Sequence, residues 1–358
     1  MSLLKVAALV VVAVVLLASP ASAHGGGSDA TNFRVDVLEP GYPGLSWRTY
    51  GGDALIELTN RTGSELTLSG YEDEPYLQFR PGVGVFENTR SPATYLNQDR
   101  YAGTIPPATA DPSAPPQWRQ VASGDRYAWH DHRVHWMSPA RPAMVDAAPD
   151  QQHVVLAWEL PIALGDGTDA TARGELRWVP GVAWWPPVLI LSSLGVAVAL
   201  VAAWRTRPDG VPWPGLARPV VVLLAFVVGA NAVRTVDDIV TVRATFAQHA
   251  FLAITAVITL GVVVALLVRS WRGHPLGFLG LAAAGVVVML LFGGEASAEL
   301  SASQIATSLP TWVRRWTVAA SYAAVAAPFA AGVVYAIHHK RHLDRTQPLG
   351  SRPAAPPT

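Results

Sequence analysis

The stretch PVLILSSLGVAVALVAAW, residues 187–204, is the first of five apolar blocks that occupy the chain after Trp184. The other four blocks lie at residues 219–236, 247–268, 275–294 and 317–337. A helix needs about 20 apolar residues to cross the hydrocarbon core of a membrane, and each block reaches or approaches that length. The sequence therefore predicts an all-α transmembrane bundle of five helices within residues 184–342.

Residues 24–183, which precede these blocks, are polar and rich in Trp, Pro and charge. Short apolar runs without helical periodicity are separated there by turn residues, as in proteins made of strands. We predict strands at 54–59, 65–69, 76–79, 83–87, 117–121, 127–137, 153–160 and 172–179, the first two joined as a hairpin. Residues 104–116 contain too much proline for a central strand and predict a long loop. The pattern predicts an all-β extracytoplasmic sandwich of immunoglobulin-like type.

Residues 1–23 have the features of a cleaved signal peptide. Lys5 precedes the apolar run 6–17, and Pro20-Ala21-Ser22-Ala23 offers the small residues of a cleavage site. The alternative is an uncleaved first transmembrane helix. Cleavage after Ala23 would place His24 at the mature N-terminus, where its amine and imidazole can chelate a metal together. Because three glycines follow, the alternative for His24 is a flexible tip.

Basic residues predict how the chain is oriented in the plasma membrane. Positive side chains flank alternate connections between the blocks and follow the last block: Arg205, Arg207, Arg218, Arg269, Arg272, Lys340, Arg341 and Arg345. Positive loops stay in the cytoplasm, and export of the polar domain requires the same orientation. We therefore expect a multi-pass protein in the lipid bilayer with a cytoplasmic C-terminus, and a disordered tail at 343–358.

Composition excludes several classes of function. The chain has no cysteine, which removes disulfides, thiolate metal sites and cysteine nucleophiles. A net charge of zero argues against a nucleic-acid partner, and no nucleotide-binding motif is present. Ser91 lacks the glycines that surround a nucleophile in an elbow. The sequence thus predicts a protein that is not an enzyme and has no catalytic residue.

Residues 129–137, WHDHRVHWM, are the segment most suited to metal chemistry. As a strand, the segment would place His130 and His132 on one face, and His135 and Met137 on the other. Two imidazoles at i and i+2 can chelate one copper or zinc ion, and a thioether favours Cu(I). The candidate ligands are His130, His132, His135, Met137 and His24. The alternative is a structural strand whose His and Arg side chains pair with Asp131, Glu72 or Glu74.

A second group of candidates lies in the apolar half. Its polar residues gather at the block ends predicted to face outward: Asn231, Arg234, Asp237, Asp238, His249, Glu295 and Glu299. Glu295 and Glu299, spaced i and i+4, would share one helix face. Charge at such depth is costly and indicates a metal or proton site, or a structural network in which Arg234 neutralises Asp238 or Glu295.

Several segments carry a resemblance to known proteins. Residues 70–77 (GYEDEPYL), 90–97 and 129–137 resemble uncharacterised multi-pass membrane proteins of actinobacteria with an extracytoplasmic β-sandwich. More distantly, Asp166-Gly167 and residues 174–179 (GELRWV) are similar to the last hairpin of periplasmic copper-resistance sandwich proteins. The second resemblance implies a copper-resistance-like sandwich and copper as the bound metal.

Two functions follow from these observations. The first is a non-catalytic envelope scaffold or sensor, whose exported domain binds a protein partner. The alternative is the binding and handling of copper, or another transition metal, at the outer face of the membrane.

Overall fold

The computed structural model describes residues 30–101, 103–205, 213–241, 246–273, 277–294 and 296–346. The predicted signal peptide, His24 and residues 347–358 of the predicted tail lie outside these ranges. The first half of the described chain is built of strands and the second half of helices. The strands are β1 Phe33–Glu39, β2 Leu45–Tyr50, β3 Leu55–Asn60, β4 Leu66–Ser69, β5 Pro75–Arg80, β6 Gly84–Asn88, β7 Trp118–Ala122, β8 Arg126–Trp129, β9 His153–Leu164 and β10 Asp169–Trp178.

The strands form two antiparallel sheets that share one apolar core. The larger sheet has the order β1-β10-β9-β4-β5-β6-β7, and the smaller sheet has the order β2-β3-β8. Ile56 and Leu58 of the smaller sheet lie in the same buried cluster as Leu77, Phe79 and other residues of the larger sheet. Two short helices, α1 Ala93–Leu96 and α2 Ala143–Ala147, lie in the connections.

The predicted hairpin of residues 54–59 and 65–69 is wrong, although both strands exist. Strand β3 pairs with β2 and β8, whereas β4 pairs with β5 and β9. Both strands carry large apolar residues, and β3 in the smaller sheet and β4 in the larger sheet contribute them to the same buried cluster. Asn60 holds the crossing loop, because its side chain donates to the Ser64 carbonyl at 2.8 Å and accepts from Thr62 N at 3.0 Å.

Other strand predictions are confirmed with small changes of boundary. Strands β5 and β6 form a hairpin around Arg80-Pro81-Gly82, and β9 and β10 form the last hairpin, whose register shifts once, between Leu176 and Arg177. Residues 104–116 contain no strand in the part that the structure describes. Strand β8, however, ends at Trp129 instead of continuing to Met137. This difference determines the arrangement of the candidate metal ligands.

The second half consists of helices, most of them long and apolar. They are α3 Trp185–Arg205, α4 Trp213–Thr241, α5 Phe246–Trp271, α6 Gly277–Val288, α7 Thr311–Ala323 and α8 Ala326–Thr346. A π-helical turn, Met289–Gly294, continues α6, and a 3₁₀ helix, Ser297–Leu300, precedes α7. The break between α7 and α8 precedes Pro328, whose ring would clash with the Ala324 carbonyl in an unbroken helix.

Among the described residues, four helical segments rather than five are long and apolar enough to cross a membrane. They are Trp185–Arg205, Gly215–Thr241, His249–Trp271 and Thr311–Ile337. The fifth predicted span, 275–294, is represented by the shorter apolar helix Leu279–Gly294. Its α-helical part ends at Val288, since the final turn widens to a π-helix that ends on Gly293 and Gly294. Glycine disfavours a continuing helix.

The loop that follows the 3₁₀ helix is hydrogen-bonded to the segments that flank the β domain. Thr31 and Gln304 exchange two backbone hydrogen bonds of 3.0 and 2.9 Å, which form an antiparallel bridge ahead of β1. Ser303 N donates to the Asn32 side chain at 2.8 Å, and Val182 N donates to the Ser301 carbonyl at 2.8 Å. Residues before β1 and after β10 are therefore both bound to this loop, residues 301–304.

Candidate functional site

The candidate metal ligands lie in a tight loop that follows β8. Asp131 organises the loop: its carboxylate accepts from Trp129 Nε1 at 2.9 Å and from the Arg133 backbone and guanidinium at 2.8–3.1 Å. The Asp131 carbonyl accepts from Val134 N at 3.1 Å, which closes a turn. Burial alone would raise the pKa of Asp131, but the Arg133 guanidinium holds that pKa below its usual value. Asp131 therefore stays ionised and keeps the chain turned.

Because of this turn, the prediction that the histidines lie on two different faces of a strand is wrong. Because the chain bends at Asp131, His135 folds back towards His130 and His132. One ring nitrogen from each of the three lies within 4.8 Å of the others. The ring centroids of His130 and His135 are 4.2 Å apart. The ring centroid of His132 lies 5.3 Å from that of His130 and 5.4 Å from that of His135. The structure thus brings together three of the five predicted ligands.

The partners of the outer ring nitrogens determine which nitrogens carry protons. His130 Nδ1 lies 2.7 Å from the Ala54 carbonyl, and His135 Nδ1 lies 3.0 Å from the Trp136 carbonyl. A carbonyl oxygen only accepts, so both Nδ1 atoms are donors and both Nε2 atoms carry the lone pair in the neutral rings. These two Nε2 atoms face each other at 2.8 Å. Two facing lone pairs at this distance repel each other unless a cation lies with them.

A shared proton is a poor solution for this pair. Burial, together with the His130 ring and the Arg100 guanidinium, lowers the pKa of His135 to about 3. Burial also lowers the pKa of His130, although its hydrogen bond to Ala54 acts in the opposite direction. Both rings are therefore neutral at pH 7, and they present unprotonated nitrogens of the kind that bind transition metals.

His132 completes the group with the opposite tautomer. Its Nε2 lies 2.8 Å from the Asp99 carbonyl, so Nε2 is the donor and Nδ1 carries the lone pair. Tyr71 supports this residue, since its hydroxyl accepts a hydrogen bond from His132 N at 2.9 Å. The Tyr71 ring also stacks on the imidazole, with the ring centroids 5.9 Å apart. Backbone carbonyls thus fix the orientation of all three rings. Such outer contacts are typical of histidines that bind a metal.

A cation and its counter-ion lie beside the three rings. Arg100 Nη2 donates to Asp53 Oδ2 at 2.6 Å, and the Asp53 side chain is almost fully buried. Asp53 directly precedes Ala54, which holds His130. Burial raises the pKa of Asp53 in spite of Arg100. This pair was not predicted, because residues 53 and 100 are far apart in the chain.

The remaining predicted ligands and acids are arranged differently. Met137 is 38 % exposed, and its role as an auxiliary ligand stays a prediction, as does that of His24. The acidic run at 72–74 is a turn rather than a partner of the histidines. Glu74 is buried and accepts from Glu72 N at 2.9 Å and from the Ser91 hydroxyl. Of the pairs in the structural alternative, Arg133 does pair with Asp131, whereas the histidines bind the backbone carbonyls described above.

The second candidate site, at the ends of the helices, is centred on a residue that the sequence reasoning missed. Arg314 of α7 is buried and donates from Nε and Nη2 to both Glu299 oxygens, at 2.6 and 2.9 Å. Nη1 donates to Asp237 Oδ2 at 3.0 Å, and Nη2 also donates to Asp238. One guanidinium therefore holds three carboxylates from α4 and the 3₁₀ helix.

The other members of this group surround Arg314. Arg234 donates to the Phe292 carbonyl at 2.9 Å, and its Nη1 lies 3.8 Å from Glu299. Asn231 exchanges hydrogen bonds of 2.9 and 3.1 Å with Ser321. His249 lies in the first turn of α5, and Glu295 lies outside the described residues. Glu299 belongs to the 3₁₀ helix and not to α6, and the predicted common helix face with Glu295 lies outside the described residues.

A signal for Arg314 was present in the sequence. Arg314 and Arg315 precede an apolar block at the end that the positive-inside rule assigns to the outer face. A cation in that position needs an anion, and Asp237, Asp238 and Glu299 were already candidates. The network supports the structural alternative for this group, because each of the three carboxylates pairs with arginine.

No family model, curated protein or solved structure matches this chain in the three comparisons made. The resemblances drawn from the sequence thus stay predictions. The function must be argued from the geometry of the two sites.

Proposed function

We propose that this protein binds a transition metal ion through His130, His132 and His135, in a β domain anchored to the membrane by apolar helices. The observation that carries this proposal is the pair of facing Nε2 lone pairs, 2.8 Å apart, on rings whose Nδ1 atoms both donate to carbonyls. A metal ion accepts both lone pairs and removes their repulsion. The role is binding, and no catalytic step is assigned to it.

A scaffold or sensor that binds an envelope partner, which the sequence ranked first, is now the alternative. A scaffold needs no ring pair of this kind. Neutral imidazoles packed for structure alone would more easily take opposite tautomers, so that one Nε2–H donates to the other nitrogen. The carbonyls of Ala54 and Trp136 exclude that arrangement for neutral rings. The metal-binding function therefore accounts for contacts that the scaffold function leaves unexplained.

We further propose a topology in which the β domain, folded as a sandwich, lies outside the plasma membrane. The loop 301–304 bonds to the β domain, so the start of α7 lies on that side. Asp237 near the end of α4 binds Thr307 and Ser308, which supports the same side for that end. Helix α6 and its π-turn, between the end of α5 and this loop, would then cross as a short fifth span. Arg205 and Arg269 end helices on the opposite side, as the positive-inside rule requires.

Metal titration of the full-length protein in detergent tests the metal-binding proposal. The sequence contains ten histidines, and three of them, His338, His339 and His342, lie close together in the sequence and apart from the site. The parent for the test therefore carries Asn at those three positions and an affinity tag without histidine. The test variant is His130→Ala/His135→Ala. The matched control is His153→Ala, since His153 lies in the same domain and its Nε2 binds the Ala148 carbonyl at 2.7 Å.

The expected result is retention of one Cu(II) or Zn(II) ion per chain after passage over a desalting column. The test variant loses that ion, and the control keeps it. Circular dichroism and size-exclusion elution must show that all three proteins are folded. A folded parent that retains no metal, or a test variant that binds like the parent, would refute the proposal.

A further inference from the structure

The separation of the two facing nitrogens carries information about the geometry of the ion. His130 Nε2 and His135 Nε2 are 2.8 Å apart. Metal–nitrogen bonds to histidine are about 2.0 Å long. Two such bonds at a right angle place their nitrogens about 2.8 Å apart, whereas a tetrahedral angle gives about 3.3 Å and opposite positions about 4 Å. The pair therefore fits two neighbouring corners of a square.

Both rings resist being spread to the tetrahedral distance. Each is anchored at its far nitrogen, His130 to Ala54 at 2.7 Å and His135 to Trp136 at 3.0 Å. His135 has no exposed surface, so its movement displaces packed neighbours. Opening the pair by about 0.5 Å would lengthen these hydrogen bonds and disturb dense packing.

The third ligand is compatible with the same arrangement. One ring nitrogen of His132 lies within 4.8 Å of a ring nitrogen of each other histidine, a limit that includes the separations of about 2.8 and 4 Å between the corners of a square. Three imidazoles then occupy three corners and leave one position for water or another ligand. This donor set consists of nitrogen, with no cysteine in the chain to select a softer ion.

We infer that the three-histidine site prefers a divalent ion of tetragonal geometry, Cu(II) or Ni(II), to Zn(II) and Cu(I). The inference rests on the proposed metal-binding function. Tetragonal coordination by nitrogen and oxygen is characteristic of Cu(II) and Ni(II), whereas Zn(II) is usually tetrahedral. Affinity for copper alone does not establish this geometry, because Cu(II) binds more tightly than its neighbours in most sites. The comparison of Ni(II) with Zn(II) is therefore the informative one.

The experiment uses the full-length parent with Asn at residues 338, 339 and 342, loaded separately with Cu(II), Ni(II), Zn(II) and Co(II). Competition with a chromophoric chelator gives the ratio of the Ni(II) and Zn(II) dissociation constants. Electron paramagnetic resonance of the Cu(II) form reports its geometry and the number of coupled imidazole nitrogens. His130→Ala and His153→Ala provide the test variant and the control.

The expected results are tighter binding of Ni(II) than of Zn(II), and an axial Cu(II) spectrum with a large parallel copper splitting. His130→Ala should lose both, and His153→Ala should lose neither. Preferred binding of Zn(II), with the intense visible absorption of tetrahedral Co(II), would overturn the inference and leave the proposed function standing. Retention of no ion by a folded parent would overturn both.

Discussion

Replacing Arg314 by Met should destabilise the membrane half strongly, because three carboxylates lose their common partner. Among the described residues, the network contains two cations, Arg234 and Arg314, and three anions, Asp237, Asp238 and Glu299. Removal of Arg314 changes the formal charge of the network from −1 to −2. Breaking a buried ion pair from one side costs about 3–5 kcal/mol, and the side chain of Arg314 is only 4 % exposed. We expect a loss at the upper end of that range.

Two further variants separate charge from shape. Arg314→Lys keeps the positive charge, but an ammonium cannot reproduce the planar, two-point contact with Glu299, so an intermediate loss is expected. Arg314→Met combined with Asp238→Asn and Glu299→Gln leaves Arg234 and Asp237 balanced. Since the repelling charges are removed, this variant should recover much of the lost stability.

The measurement is thermal unfolding of the full-length protein in detergent, followed by tryptophan fluorescence and by the monomer peak that remains after heating. Arg315→Met is the matched control. Arg315 lies next in the same helix, is half-buried and donates to the Ala302 carbonyl at 2.6 Å, so its removal should cost about 1 kcal/mol. If Arg314→Met melts no lower than Arg315→Met, or if the neutralised variant is no more stable than Arg314→Met, the account of the network is wrong.

Two more predictions concern acid stability and helix packing. In metal-free protein, the pKa of His135 lies near 3 when folded and about 6.5 when unfolded, so the unfolded state binds more protons between those values. Stability should therefore fall as pH decreases from about 7 towards 3, by up to about 5 kcal/mol. Melting curves in chelator should show a weaker dependence in His135→Asn, and equal dependence would refute the assignment. In the bundle, Gly285→Ala places a Cβ 2.5 Å from the Ala324 carbonyl oxygen, whereas Gly229→Ala meets nothing within 4 Å. Gly285→Ala should thus lower the melting temperature, and Gly229→Ala should leave it unchanged or raise it; equal effects would contradict this packing.

The order of the two halves and most strands could be predicted from the sequence, because each depends on local patterns. Apolar length defines a helix in a membrane, and turn residues bound strands such as β5 and β6. Local patterns do not show which strands pair with each other. Strands β3 and β4 have the pattern of a hairpin, yet they belong to different sheets and contribute apolar side chains to the same core. Only the packing of the whole domain decides between these arrangements.

In the candidate sites too, the residue types could be predicted from the sequence, whereas their spatial arrangement could not. The residue types at 130, 132 and 135 suggested a metal, but strand periodicity placed His135 on the wrong face. The turn depends on Asp131 being buried with Arg133, and a one-dimensional pattern does not reveal that burial. Arg314 was missed because its partners, Asp237 and Glu299, come from distant segments. Contacts between distant segments are the part of a site that a single sequence leaves open.

The two sites are joined through one stretch of chain, and this has a consequence for their roles. The loop at 301–304 bonds to residues on both sides of the β domain, Thr31 and Val182. A few residues later, the Thr307 hydroxyl donates to Asp237 at 2.6 Å, and Ser308 donates to it from the backbone N at 2.9 Å and from the hydroxyl at 2.5 Å. Asp237 also accepts from Arg314. The charge network therefore does more than neutralise itself within the helices. Through Thr307 and Ser308 it fixes the loop that is hydrogen-bonded to the β domain, and so connects that domain to the helices. Under the proposed function, the network and the three histidines are parts of one arrangement, since a metal-binding domain at a membrane surface needs a fixed attachment to the helices.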